Sequence, residues 1–74
     1  MNESQLAEVE KALLYIAEAR DRAARTRREL ERQAAEPHVI AALEASERAL
    51  STEHRRLMQA TFFAVAPDQD RLAV

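Results

Sequence analysis

The sequence predicts an all-α fold: an antiparallel two-helix hairpin of coiled-coil type that associates further into a four-helix bundle. Three observations carry that expectation. The 74 residues include no glycine, two prolines, sixteen alanines and ten arginines. Ala, Leu, Glu, Gln and Arg are the residues that lose least on entering a helix. Apolar side chains recur at alternating spacings of three and four on both sides of the chain centre, the pattern of a left-handed helix pair. Pro37 is the one proline that interrupts this pattern. It lacks the amide hydrogen an interior helical position needs and pushes the residue before it, Glu36, out of the helical basin.

The first helix is expected over about 3–35. Asn2 or Ser4 can cap its start, and Glu3, Glu8 and Glu10 put negative charge at the positive end of the helix dipole. From there Leu6, Val9, Leu13, Ile16, Arg20, Ala23, Arg27, Leu30 and Ala34 form the seam. Ala12, Ala17, Ala19 and Ala24 flank it, and side chains this small let a neighbouring helix approach closely.

The turn is placed at about 36–37, and Pro37, whose backbone angle is preset for a first helical turn, starts the second helix over about 37–66. Its seam runs through Ile40, Leu43, Glu47, Leu50, His54, Leu57, Thr61 and Ala64, with Val39, Met58, Phe62 and Val65 opening a second stripe. Ser51-Thr52-Glu53 resembles a capping pattern. Leu43, Leu50 and Leu57 keep a seven-residue period through it, which favours a continuous helix. Pro67 ends the helix, and 67–74 reads as a flexible tail. All 74 residues form a single domain in this reading. One long kinked helix in a parallel coiled coil is the alternative architecture.

Folding back at Pro37 sets residue i against roughly 74 minus i, which brings Arg27 to Glu47 and Arg20 to His54. The middle of the seam is therefore polar and its two ends apolar. A buried polar pair contributes little net stability but can fix register, the role assigned to Arg20, Arg27, Glu47 and His54.

All three aromatics, Tyr15, Phe62 and Phe63, fall near the open end, together with Leu13, Leu14, Ile16, Leu57, Met58 and Val65. Residues 13–16 are four consecutive apolar positions, more than one neighbouring helix can cover. Exposed clusters rich in aromatics and methionine mark association sites. Leu13, Leu14, Tyr15, Leu57, Met58, Phe62, Phe63 and Val65 are thus the candidate interface. The competing reading is a locally thick core within one hairpin, covered by Leu72 and Val74.

A chain this short rarely obtains more than about 3 to 5 kcal/mol from its own core. Without cysteine, neither a disulfide nor a thiolate metal site can staple it, and association is the remaining device. The formal charge of −2 gives no global attraction to nucleic acid or anionic membrane. Between Arg20 and Arg32, however, six arginines stand against Asp21, Glu29 and Glu31. Pairs such as Asp21/Arg25, Arg25/Glu29 and Arg28/Glu31 sit at helical spacing and read as a solvated face. No aromatic is interleaved for base stacking.

Catalysis finds no support: there is no glycine-rich phosphate loop, no cysteine nucleophile and no histidine-rich constellation. The residues three before His38 and His54 are Ala35 and Ser51, so the Glu-x-x-His signature of di-iron bundles is absent. No cofactor and no metal are expected. The N-terminus lacks the regions of a signal peptide, and the most apolar run, 62–66, is too short to cross a bilayer. Arginine outnumbers lysine ten to one, a bias of GC-rich, typically bacterial genomes. The outline is similar to that of small bacterial helical hairpins such as the secreted Trp-x-Gly proteins, whose turn motif needs a tryptophan and a glycine this chain lacks. The functional expectation is a non-enzymatic, cytoplasmic protein that engages other proteins or self-assembles, most simply as a homodimer, with an unidentified protein partner as a further option. The alternative is a small nucleic-acid-associated regulator using Arg20, Arg22, Arg25, Arg28, Arg32, Arg55 and Arg56.

Overall fold

The computed structural model describes residues 1–65, and of Val65 the backbone only. Helix α1 spans Glu3–Arg32 and helix α2 spans Pro37–Val65. The two pack against each other along their length. The chain is an all-α antiparallel hairpin, which removes the single long kinked helix. The tail 67–74, with Leu72 and Val74, lies outside the described residues.

Asn2, not Ser4, caps α1. The Gln5 amide donates to Asn2 Oδ1 at 2.8 Å, and the Asn2 amide donates back to Gln5 Oε1 at 3.0 Å. This reciprocal box satisfies two of the amides a helix start leaves without intrahelical partners.

The end of α1 departs from expectation. Proline at 37 points to a stop near Ala35, yet the helix ends at Arg32 and the turn occupies 33–36. The cause is a closed hydrogen-bonded cap. Ala34 takes φ 54, in the left-handed region. That reversal lets the Ala35 amide donate to the Leu30 carbonyl at 2.9 Å and the Ala34 amide to the Glu31 carbonyl at 3.1 Å. These bonds define a Schellman motif, in which glycine is the usual left-handed residue. Glu36 then caps α2, its carbonyl accepting from the Val39 and Ile40 amides at 3.0 and 3.2 Å. Pro37 takes the first helical position, where its missing donor costs nothing.

Helix α2 runs unbroken through Ser51-Thr52-Glu53. Its hydroxyls are partly absorbed by its own backbone: Ser46 Oγ donates to the Ala42 carbonyl at 3.1 Å and Thr61 Oγ1 to the Leu57 carbonyl at 2.7 Å. Such back-bonding satisfies a side chain without ending the helix.

The seam positions from Leu6 to Leu30 are half-buried, as are those from Ile40 to Thr61. Only the terminal positions, Ala34 in the turn and Ala64, are exposed. Yet no described side chain is fully buried. The radius of gyration is 17.3 Å, against about 11 Å for a compact chain of this length. Two helices side by side make a seam, not an enclosed core.

Candidate interaction surface

The seam is held at its middle by a forked ion pair. Arg27 Nε donates to Glu47 Oε2 at 2.6 Å and Nη2 to Oε1 at 3.3 Å. Arg27 Nη1 also reaches Glu31 Oε1 at 2.7 Å. One guanidinium thus ties a turn of α1 to α2 through the two-pronged geometry that suits arginine to carboxylates. The hydrogen bond from Arg27 holds the Glu47 carboxyl below its ordinary range, and the bond to Glu47 raises Arg27 in return. Arg20 and His54 are half-buried in the same polar stretch. Arg20 makes a loose 4.0 Å approach to Asp21.

The arginine-rich stretch pairs differently from the spacing-based expectation. Arg32 binds Glu29, which also accepts from Gln33 Nε2 at 3.1 Å. These bonds, Arg32 first, keep the Glu29 carboxyl below its usual range. Glu31 is taken by Arg27. Both acids are therefore engaged with residues other than Arg25 and Arg28. Spacing permits several such partners, and the structure places Arg27 between Glu47 across the seam and Glu31 on its own helix.

Beside the seam lie two flanks, and an open groove identifies one of them. It has a volume of about 450 Å³ and is lined by Arg20, Asp21 and Ala24 from α1 and by Glu47, Arg48, Ser51, Thr52 and Arg55 from α2. In a paired helix, residues seven apart share a face. Stepping back from Asp21 and Ala24 reaches Leu14 and Ala17. Stepping forward from Ser51 and Arg55 reaches Met58 and Phe62. This flank is therefore charged at its middle and apolar toward the open end.

Tyr15 and Phe63 sit one residue further round their helices, about 100° away, on the opposite flank with Ala12 and Ala60. The rings of Phe62 and Phe63 meet edge to face at 5.8 Å, spanning the outer side of α2. Leu14, Tyr15, Met58, Phe62 and Phe63 are exposed at between 52% and 73%. Leu13 and Leu57, counted with them from sequence, are instead half-buried in the seam. The side chain of Val65 lies outside the described residues.

Among the described residues no group of His, Asp or Glu gathers into a site able to hold a metal ion. No described helix is long and apolar enough to cross a membrane. Comparison with protein-family models, curated proteins and solved structures finds no match to this chain.

Proposed function

We propose that this chain is a non-enzymatic interaction module that works as a homodimer, two hairpins packing into a four-helix bundle. The observation that carries the reading is a hairpin in which no described side chain is fully buried and Leu14, Tyr15, Met58, Phe62 and Phe63 are exposed toward its open end. A compact monomer of this mass exposes about 4,600 Å², whereas this chain exposes 5796 Å². That excess goes with the elongated shape of two helices side by side, which leaves surface on both flanks that a second chain can cover. Covering it with a second copy converts half-buried seams into a core.

The absence of cysteine suits a reducing compartment, and the cytoplasm of a bacterium is the setting that fits this composition. Sedimentation equilibrium at micromolar concentration tests the proposal. A mass of twice the chain is expected, and a well-folded monomer overturns it.

A further inference from the structure

One flank of the hairpin carries both an apolar patch and a charged groove. Within the groove, Arg48, Ser51, Thr52 and Arg55 follow one another at helical spacing along α2, facing Arg20 and Ala24 of α1. Of its acids, Glu47 is held by Arg27, while Asp21 makes a loose 4.0 Å approach to Arg20. Among the described residues Arg48 and Arg55 make no ion pair. The groove is thus supplied with uncommitted cations beside two hydroxyls, the chemistry that receives a carboxylate.

A carboxylate of matching position exists in the chain itself. Glu10 is exposed and, among the described residues, makes no ion pair. It lies seven residues before Ala17, on the same flank, and Ala24 of the groove lies seven after. At 1.5 Å per residue each separation is about 10 Å. We propose that two copies pack through this flank, antiparallel about a two-fold axis at Ala17, with Glu10 of each copy seated in the arginine-lined groove of the other. The inference rests on the self-association proposed above and names its face, its direction and its polar contact.

Three features converge on that axis. Leu14 stands three residues from Ala17. Met58 stands level with them across the seam, given the register set by Arg27 and Glu47. The apolar patch therefore falls at the centre of the contact, where an alanine permits close approach. The charges of α1 are also unevenly spread, with Glu3, Glu8, Glu10 and Glu18 against Lys11 in its first half and six arginines from Arg20 to Arg32 against Asp21, Glu29 and Glu31 in its second, a surplus of three negative and of three positive charges respectively. Antiparallel pairing sets acid against base twice over, whereas parallel pairing stacks like charges. A two-fold contact of this kind uses the same patch on both copies.

The absence of cysteine gives a clean test. Ala17→Cys, oxidised, is expected to form a covalent dimer with its own copy, while Ala12→Cys on the other flank is not. Independently, Arg48→Glu with Arg55→Glu is expected to weaken dimerisation about tenfold or more, and adding Glu10→Arg to restore it to within about threefold. Circular dichroism on each variant separates loss of contact from loss of fold.

A dimer that ignores both charge reversals, or cross-links at Ala12 instead of Ala17, overturns this face while leaving self-association standing. A folded monomer at every concentration overturns both. A monomer whose groove binds inorganic polyphosphate, with binding lost in the Arg48→Glu/Arg55→Glu chain, reassigns the groove to an external polyanion and likewise overturns the proposal.

Discussion

The hinge half and the open half of the hairpin share one seam but differ in their flanks. Near the hinge, Leu30, Ile40 and Leu43 are half-buried seam residues on the hinge side of the Arg27–Glu47 fork, and the large apolar residue left outside is Val39, at 38% exposure. Toward the open end Leu14, Tyr15, Met58, Phe62 and Phe63 all stand outside the seam. The hinge half is closed by its own chain, through a cap, a proline start and a forked ion pair. The open half holds more apolar surface than its single partner helix can cover. Exposed aromatic and methionine clusters of this kind mark association surfaces, so in the proposed dimer the difference divides the molecule into a folding end and a binding end.

That division is broken most sharply by placing a charge on each end. Phe62→Asp is expected to cost several kcal/mol in the assembled protein, because it sets an uncompensated carboxylate in apolar surroundings. Val39→Asp is expected to cost less than about 1 kcal/mol. Chemical denaturation followed by circular dichroism reads both, and equal effects at the two ends would erase the distinction.

A second, smaller effect isolates the seam. The Glu47 carboxyl is depressed by the hydrogen bond from Arg27. Its contribution is therefore complete above the ordinary carboxyl range and is lost as pH falls through that range to the lower folded value. Thermal melts between about pH 7 and about pH 2 should show this loss. Glu47→Gln should flatten the acid limb while lowering stability at neutral pH. If the variant keeps the same acid limb, the fork does not govern the seam.

The smallest effect belongs to the turn. Ala34 holds a left-handed backbone with a β-carbon that glycine lacks. Ala34→Gly should raise stability by about 0.5 to 1 kcal/mol, the local relief being partly offset by the freer unfolded chain. A shift of the melting temperature upward, with dimer mass unchanged, checks it.

The seam was legible because burial leaves a periodic trace. Leucines seven apart, and polar Arg27 and Glu47 at seam positions, announce themselves by spacing alone. The turn was not legible, because its reversal falls on an alanine where glycine is the usual signal, and Pro37 marks the next helix more clearly than the end of the last. Ion partners along Arg20 to Arg32 were hidden for another reason. Several carboxylates lie at permitted spacings, and spacing alone does not say that Arg27 bridges Glu47 and Glu31 while Arg32 takes Glu29. The sorting of Leu14 and Phe62 to one flank and Tyr15 and Phe63 to the other needed the groove to show which residues of α1 and α2 share a side.

The claim that the fold is completed by a second copy is tested most directly by the concentration dependence of melting. A folded state that exists only as a dimer must become more stable as the chain is concentrated. Circular dichroism over a hundredfold range of concentration is therefore expected to show one cooperative transition whose midpoint climbs steadily. A cooperative transition with the same midpoint throughout, from a particle with the mass of one chain, would contradict the account.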